Sequence, residues 1–499
     1  MTAEGLAAAG MTALTTVLVL FALIGAVPSL TMALQFVLVP FHAVANHYRR
    51  AAPYYPNVAV VVPAWNEAAV IGASIDRLMA LDYPSDRVRV YVVDDASTDE
   101  TPDVVRAKAV QYPGAVFHLR RERGGEGKAH TLNHGLRHVL AEDWMEALLI
   151  MDADVVYLPT SLRRMTRHLA DPEVGAVTAY IREGSQRKTT LTRFIAFEYV
   201  LSELGARRAQ NVLGAMACLA GGAQLHSRAN LVDLGGAIDT SSLAEDTVTT
   251  FETQLAGRRV VLEPHAVVLA EEPDRVAGLW KQRLRWARGN VQVTKRYRHI
   301  WFRPWKRDRL SSVSFGLVWF SVLLLPVFML LASVGLVGLY LIDSPLTSII
   351  FRSLWISVGC AYLFSMALGA QLDPRTSRIA WREILLFPGL ISMVVMLSAF
   401  FPGLFDERVP QLFGLRLTDT GYDVWNLAVF SWISLCMVAA WLIKLIDGTR
   451  AGSWLSPLLI YLIGYGPILC AITLDSYIKE ARGAAMTWDK TEKRGKVLA

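Results

Sequence analysis

The sequence predicts an α/β domain built on a parallel sheet, followed by a block of apolar helices. Residues 57–63 and 88–93 are short runs rich in β-branched residues, and each run stops at a turn. The segment 67–82 places its apolar residues on one helical face, and a second helical pattern follows at 101–111. Strands and helices that alternate in this way are typical of a Rossmann-like parallel sheet with helices on both faces.

Hydropathy predicts the helical block. The chain has 499 residues, 53% of them hydrophobic, and a mean hydropathy of +0.34. These values indicate a mixed architecture rather than a soluble domain or an all-membrane transporter. Stretches long enough to cross a bilayer lie at 12–40, 311–342, 349–371, 382–404, 424–446 and 454–476. The first has no basic leader or small-residue cleavage site, so we expect an uncleaved anchor.

Charge predicts the topology. Basic clusters at 47–50 and 295–307 flank the middle domain, which the positive-inside rule therefore places in the cytoplasm. The cluster at 295–307 contains tryptophan, and both clusters lie at predicted membrane borders, so we expect lipid head groups rather than nucleic acid as their partners. The tail at 479–499 is also basic. Because Pro-Gly pairs bracket 382–404, we expect that stretch to be interfacial, which leaves five spans and a cytoplasmic tail.

The predicted organisation has five parts. They are an anchor at 1–50, an α/β domain at 51–273, amphipathic interface helices at 274–310, membrane helices at 311–478 and a basic tail at 479–499. The four cysteines are widely spaced, without a CxxC pair or a Cys/His cluster, so we expect neither a disulfide framework nor a zinc site.

Acidic pairs follow two predicted strands. Asp94 and Asp95 come after the second strand, where a carboxylate could accept from a base or a ribose, or simply cap the next helix. Asp152 and Asp154 come after the apolar run 147–151. Two carboxylates at that spacing suit Mg²⁺ or Mn²⁺ with open positions for substrate phosphates, although a solvated acidic turn has the same pattern.

Two further segments carry groups suited to group transfer. The glycine-rich run 124–127 ends at Lys128 and lacks P-loop spacing, yet it could contact a diphosphate or form a plain surface loop. Glu245 and Asp246 open an amphipathic helix pattern. Asp246 could act as a general base, and the alternative is an acidic first turn favoured by the helix dipole.

A Gln-x-x-Arg-Trp pattern lies on the helical run 274–298. Gln282, Arg285 and Trp286 are separated by three and four residues and so share one helical face. Tryptophan can stack on a sugar ring, and arginine can bind a diphosphate. A basic amphipathic helix on a membrane surface has the same composition, and both interpretations can hold together.

Taken in this order, the motifs resemble those of membrane-integrated, processive family 2 glycosyltransferases, the group that contains cellulose, chitin, hyaluronan and poly-N-acetylglucosamine synthases. The resemblance covers 57–300, and 278–289 is especially similar to the poly-N-acetylglucosamine and chitin-oligosaccharide synthases. It implies a GT-A fold, a UDP-sugar donor, Mg²⁺ or Mn²⁺, inversion at the anomeric carbon and export of the polymer through the membrane helices.

The resemblance also implies roles for individual residues. The donor and its nucleotide would contact Pro63, Glu67, Asp95, Lys128, Asp152 and Arg285. The metal would bind Asp154 and Asp152, and the catalytic pair would be Asp246, as the base, and Glu245. The acceptor would contact Gly222, Gln282 and Trp286.

The sequence departs from the family pattern at three points, and the last two of them weaken an assignment as a cellulose synthase. Ala244 replaces the usual threonine, the Phe-x-Val-Thr gating sequence is not evident, and we expect no C-terminal regulatory domain that binds cyclic di-GMP. The sequence therefore predicts a synthase that transfers N-acetylglucosamine or glucose to a growing β-glycan, with an accessory subunit as a further candidate partner. A glycolipid or polyprenyl-phosphate glycosyltransferase is the alternative, and a transporter with a nucleotide-binding domain is a remote one.

Overall fold

The computed structural model describes residues 2–306, 308–402, 408, 419–447, 449, 452–485 and 497. The end of the stretch 382–404 and most of the basic tail, including Lys490, Lys493, Arg494 and Lys496, lie outside these residues. The chain forms two compact units: Gln35–Gly316 with Lys479–Ala499, and Met1–Leu34 with Leu317–Ile478.

The first of these units contains one mixed sheet. Its strands are β1 (Val58–Ala64), β2 (Val88–Asp94), β3 (Val116–Arg120), β4 (Ala147–Ile150), β5 (Val155–Tyr157), β6 (Val174–Glu183), β7 (Gln224–Ser227) and β8 (Arg259–Ala270). They lie in the order β3-β2-β1-β4-β7-β6-β8-β5. β3, β2, β1 and β4 are mutually parallel. β7 runs antiparallel to β4 and β6, β8 is parallel to β6, and β5 is antiparallel to β8.

The described helices of the whole chain are numbered in sequence order. They are α1 (Ala3–Ile24), α2 (Val27–Leu38), α3 (Asn46–Arg49), α4 (Ala68–Met79), α5 (Thr101–Gln111), α6 (Lys128–Leu140), α7 (Ser161–Thr166), α8 (Thr190–Tyr199), α9 (Arg207–Leu213), α10 (Arg228–Asp233), α11 (Glu245–Leu255), α12 (Val276–Arg296), α13 (Val313–Leu323), α14 (Leu325–Leu341), α15 (Leu346–Leu372), α16 (Pro374–Ile379), α17 (Trp381–Leu385), α18 (Leu390–Phe400), α19 (Asp419–Asp447), α20 (Gly452–Ile463) and α21 (Tyr465–Ala481). Short 3₁₀ helices cover Val39–Val44, Ser85–Arg87, Arg167–Ala170 and Arg309–Ser311, and Val200–Ala206 is π-helical.

β1 separates two apolar cores, which explains why it has no polar face. Val58, Val60 and Val62 pack on one side with residues of α4 and α5. Ala59 and Val61 pack on the other side with residues of α6. A strand buried on both faces needs a continuous apolar run, and β-branched side chains suit the extended backbone of that run. The predicted α/β sheet with helices on both faces is therefore present. The expectation of a parallel sheet holds for β3, β2, β1 and β4, but β7 and β5 run antiparallel to their neighbours and make the sheet mixed.

Apolar helices dominate the second unit. Ala3–Arg49, Leu346–Leu372 and Thr420–Asp447 are long and apolar enough to cross a membrane, and two bent pairs raise the total in the described residues to as many as five. The pairs are Val313–Leu323 with Leu325–Leu341, bent by 74°, and Leu455–Ile463 with Tyr465–Ala481, bent by 93°.

The stretch 382–404 differs from the other apolar stretches because a turn interrupts it. Gly389 has a φ of +87° and separates α17 from α18. α18 has 11 residues, which span only about 16 Å at 1.5 Å per residue. A bilayer core is about 30 Å thick, so α18 alone is too short to cross it.

Candidate active site

The carboxyl ends of β1 and β2 lie side by side, with Ala64 paired to Asp94. Asn66 and Ala96 follow these ends with positive φ values of 53° and 56°, which are uncommon for residues other than glycine. The Asn66 side chain ties the two turns together by accepting from the Thr98 backbone N–H at 2.8 Å. Pro63 and Glu67, two of the expected nucleotide contacts, therefore lie at this edge of the sheet.

The two carboxylates that follow β2 have different surroundings. Asp94 is fully buried and accepts from the Ser97 backbone at 2.8 Å and from Arg120 at 2.9 Å. Although burial opposes ionisation, hydrogen bonds from His118 and Ser97 hold the pKa of Asp94 below its ordinary value. Asp94 therefore binds groups of the protein itself and stabilises the turn after β2.

Asp95 links β2 to the glycine-rich loop. Its carboxylate pairs with Arg121 and accepts from the Gly125 backbone N–H at 2.9 Å. A Cβ at Gly124 would collide with the Asp95 backbone oxygen, so the close approach of the loop requires glycine there. The loop is thus held beside the strand ends rather than left as an independent surface turn.

Lys128, at the end of that loop, is the centre of a carboxylate cluster. Its Nζ lies 2.6 Å from Asp152 Oδ1 and 3.6 Å from Glu245 Oε1, and it donates to the Gly221 carbonyl oxygen at 3.1 Å. Burial lowers the pKa of Lys128, but Asp152 and Glu245 outweigh burial and raise that pKa above its ordinary value. The side chain is therefore a buried ammonium that joins three distant segments.

Gly221 and Gly222 fit closely among these carboxylates. A Cβ on Gly221 would lie 3.1 Å from Asp246 Oδ2, and one on Gly222 would lie 3.3 Å from Asp152 Oδ2. Tyr157 fixes the same backbone by donating to the Gly222 carbonyl at 3.2 Å. Glycine at both positions therefore leaves the carboxylate oxygens uncrowded.

The Glu245-Asp246 pair forms the first turn of α11. Asp246 is half-buried and accepts from the Thr247 backbone N–H at 2.7 Å. Burial raises the pKa of Glu245, and although the charge of Lys128 opposes the rise, that of Asp246 adds to it. Two unlike carboxyl environments therefore lie next to each other in sequence.

Helix α12 supports this turn from behind. A Cβ on Gly289 would lie only 2.6 Å from Ala244 Cβ, so the helix and the turn are in direct contact. Gln292 Oε1 accepts from the Leu243 backbone N–H at 3.0 Å. The turn that carries Glu245 and Asp246 is consequently positioned by α12.

The Gln-x-x-Arg-Trp residues divide between two environments. Gln282 is buried and donates from Nε2 to Glu272 Oε2 at 3.1 Å. The charge of Arg285 lowers the pKa of Glu245, which links Arg285 electrostatically to the Lys128 cluster. Trp286 is 38% exposed and stacks under the Arg283 guanidinium at 4.0 Å. A partly exposed aromatic ring of this kind can contact a sugar ring.

Asp152 and Asp154 offer hard oxygen ligands directly after β4. In the part of the chain that the structure describes, no group of three or more His, Cys, Asp or Glu side chains is arranged to hold a metal. A metal bound by Asp152 and Asp154 would need a diphosphate and water to complete its shell. Such a donor set fits Mg²⁺ or Mn²⁺, which commonly bind through one or two carboxylates and substrate phosphates.

Four residues that shape this region have weak sequence signals. Gly221 precedes Gly222 in a glycine pair, and Arg121 follows the edge strand β3, which the sequence did not predict. Glu272 and Gln292 carry no local pattern, because their partners are Gln282 in one case and Leu243 in the other. A doubled glycine near acidic motifs could have identified Gly221, whereas the others need the folded chain.

Acidic motifs gathered at the carboxyl ends of parallel strands, within a mixed sheet flanked by helices, define a GT-A-like fold, that of nucleotide-sugar-dependent glycosyltransferases. Residues 56–289 match the family model described as "Glycosyltransferase like family 2". This segment is therefore a family 2 glycosyltransferase domain, which confirms the family 2 part of the resemblance and the GT-A-like fold, while processive synthesis stays a prediction.

Individual relatives differ in what they make. The chain is 32% identical over 267 residues to a β-monoglucosyldiacylglycerol synthase from Synechocystis, covering 53% of this chain and 54% of the relative. It is 28% identical over 243 residues to a poly-β-1,6-N-acetyl-D-glucosamine synthase from Staphylococcus aureus, covering 48% of this chain and 56% of the relative. A mannosyltransferase from Pyrobaculum calidifontis, solved with GDP-mannose and Mn²⁺, is 24% identical, with a TM-score of 0.48 over 77% of this chain and 99% of its own.

The chain thus spans little more than half the length of the curated relatives that it matches.

Proposed function

We propose that the protein is a processive, inverting polysaccharide synthase of the bacterial cytoplasmic membrane. It transfers N-acetylglucosamine or glucose from a UDP-sugar to a growing β-glycan. The observation that carries the proposal is the meeting of Asp152, Glu245 and Asp246 around Lys128 and the Gly221-Gly222 backbone. Three carboxylates from two separate segments, two of them paired with one buried cation, form a site for a sugar diphosphate and an acceptor hydroxyl.

Donor binding uses the strand ends. Glu67 and Asp95 contact the nucleotide beside Pro63, while Asp152 contacts the donor sugar. Mg²⁺ or Mn²⁺ held by Asp152 and Asp154 would supply charge neutralisation for the departing diphosphate. The positive charges of Lys128 and Arg285 act on the same region, because both groups influence Glu245.

Transfer is a single displacement. Asp246 takes the proton of the acceptor hydroxyl as that oxygen forms its bond to the anomeric carbon. The bond from that carbon to the diphosphate breaks at the same time, and its electron pair leaves with UDP. Attack from the face opposite UDP inverts the anomeric configuration. Trp286 offers its exposed ring face to the acceptor sugar, next to Gln282.

The second candidate is a glycolipid synthase, because the relative with 32% identity makes a glucosyl diacylglycerol. The same carboxylates would then deprotonate a lipid hydroxyl, and each acceptor would receive one sugar or a few. The two candidates share the donor chemistry and differ in the length of the product.

Donor turnover and product length test both candidates together. Detergent-purified full-length protein is given UDP-N-acetylglucosamine, UDP-glucose, UDP-glucuronate or UDP-galactose separately, with Mg²⁺ or Mn²⁺, and UDP release is measured. We expect one preferred donor and a product that lengthens with time. Release without a lengthening product, in the presence of diacylglycerol vesicles, would favour the glycolipid synthase. Absence of release from every donor, by protein that binds UDP, would contradict the transferase proposal.

A further inference from the structure

A buried polar cluster lies around Glu272, between the ends of β8 and α8 and the start of α12. Tyr199, the last residue of α8, donates from its hydroxyl to Glu272 Oε1 at 2.8 Å. Gln282 of α12 donates from Nε2 to Glu272 Oε2 at 3.1 Å. All three side chains are less than a tenth exposed. Each oxygen of the carboxylate therefore has one identified donor.

The charges around Glu272 come from α8 and α12. Burial raises the pKa of Glu272 to about 7, although Arg283 and the hydrogen bonds from Tyr199 and Gln282 oppose the rise and Glu198 adds to it. Arg283 lies over the Tyr199 ring at 5.3 Å and pairs with Glu198 at 2.9 Å. Glu272 therefore changes its protonation within the neutral pH range.

The ionised carboxylate determines which way the Gln282 amide points. A carboxylate only accepts hydrogen bonds, so the NH₂ group of Gln282 must face Glu272. Its carbonyl oxygen, Oε1, is then a buried acceptor without a hydrogen-bond partner among the described residues. Leaving a buried acceptor without a donor is unfavourable. A donor supplied by a ligand would remove that cost.

Protonation removes the constraint on the amide. One oxygen of neutral Glu272 carries a hydrogen and can donate to Gln282 Oε1, so both orientations of the amide become available. Gln282 Oε1 then has a hydrogen-bond donor within the protein and is no longer available to a ligand. The two protonation states of Glu272 consequently present different groups of Gln282.

We propose that Glu272 is a positioning residue, which together with Tyr199 orients the Gln282 amide so that Oε1 accepts a hydroxyl of the acceptor glycan. Acceptor binding then weakens when Glu272 takes up a proton. The inference rests on the proposed function, because it assigns Gln282 to the acceptor.

The test compares the acceptor KM and kcat between pH 6 and pH 8.5. Full-length enzyme receives its preferred UDP-sugar at saturation and β-linked tetrasaccharides of glucose or N-acetylglucosamine. We expect the wild-type acceptor KM to rise by up to about tenfold from pH 8 to pH 6, as for one group with a pKa near 7. In Glu272→Gln the KM should not depend on pH. Chain length gives a second readout, because the wild-type product should shorten at pH 6 and that of Glu272→Gln should not.

Two further variants separate positioning from general structural effects. In Tyr199→Phe the ionised carboxylate of Glu272 loses a hydrogen bond. The midpoint of the pH-dependent rise in acceptor KM should therefore move to higher pH. Glu252→Gln is a matched control, because Glu252 also has a raised pKa, an arginine partner and a tyrosine partner, Arg296 and Tyr297. The acceptor KM of Glu252→Gln should rise between pH 8 and pH 6 as it does in the wild type.

The inference would be overturned if the acceptor KM of Glu272→Gln depended on pH as in the wild type, or if the wild-type acceptor KM did not change with pH, while transfer itself continues. Absence of UDP release from the wild type would instead contradict the proposed function.

Discussion

At the scale of single residues, Lys128 connects the carboxylates of the cluster. Its side chain is 7% exposed and pairs with Asp152 and Glu245. We expect Lys128→Met to lower the free energy of unfolding by about 3 kcal/mol, because removing one partner of a buried ion pair leaves a charge without compensation. Chemical denaturation of the purified protein measures this change.

The pH dependence of that loss has a definite sign. The pKa of Glu245 is already raised, and Lys128 opposes the rise, so the variant raises the pKa further. A carboxyl with a raised pKa contributes stability below its ordinary value and loses it as pH increases. Lys128→Met should therefore lose stability more steeply than the wild type between pH 5 and pH 8. Lys108→Met, which breaks a partly exposed pair with Asp76, is the control, and an equal loss there would contradict the account.

At the scale of elements, α12 packs closely against the turn that carries Glu245 and Asp246, which is the proposed catalytic turn. A methyl group at Gly289 would press on Ala244, so Gly289→Ala should displace Glu245 and Asp246 and lower kcat about tenfold. Steady-state UDP release checks this expectation.

A second substitution at the same contact makes the test specific. Adding Ala244→Gly removes the methyl group that collides and should restore part of the lost kcat. Gly466→Ala is a control in open space, because nothing lies within 4 Å of its Cβ position, and it should leave kcat unchanged. No recovery in the double variant would show that the contact does not set the catalytic turn.

The same helix holds the segment that follows Ile478. Arg288 donates to Glu480 at 2.6 Å and to the carbonyl oxygens of Ala484 at 2.6 Å and Ala485 at 3.0 Å. Gln292 donates to Glu480 at 3.2 Å and also accepts from Leu243, so it bridges this segment and the catalytic turn.

Loss of Glu480 should therefore affect both stability and catalysis. We expect Glu480→Ala to reduce the free energy of unfolding by about 2 kcal/mol, because it leaves the buried Arg288 with fewer acceptors. We also expect kcat to fall severalfold. The exposed neighbour Arg482→Ala supplies the control, and wild-type kcat in Glu480→Ala would refute the bridging role.

Local patterns predicted the elements that carry the site, and long-range contacts determined how those elements meet. The runs that became β1 and β2 could be read from their β-branched residues, and α5 begins and ends where the helical pattern does. The ion pair between Lys128 and Asp152 joins residues whose separation carries no periodic signal. The same holds for Arg288 and Glu480, which lie nearly two hundred positions apart. Neither pairing could be derived without the folded chain.

At the scale of the whole molecule, the hydrogen bonds of Arg288 bear on topology. They require residues 480–485 and the glycosyltransferase domain to lie on one side of the membrane. An even number of crossings must then separate α12 from Glu480, as in the predicted arrangement of five spans with a cytoplasmic tail.

Cysteine labelling tests this topology. Single cysteines replace the exposed residues Val110, Arg482 and Pro345 in a cysteine-free background, and intact cells receive a membrane-impermeant maleimide. Val110→Cys and Arg482→Cys should react only after permeabilisation, whereas Pro345→Cys, between α14 and α15, should react in intact cells. Labelling of Arg482→Cys in intact cells would place the tail outside and contradict the five-span topology.

The most direct test of the central claim is UDP release by Asp246→Asn with the preferred donor. Because the amide cannot accept the acceptor's proton, we expect kcat to fall by at least about a hundredfold while UDP binding and the melting temperature stay near wild type. Asp233→Asn, which changes a carboxylate on α10 that pairs with Arg258, should keep wild-type kcat. Full transfer activity in folded Asp246→Asn would show that Asp246 is not the base and that the site has been misassigned.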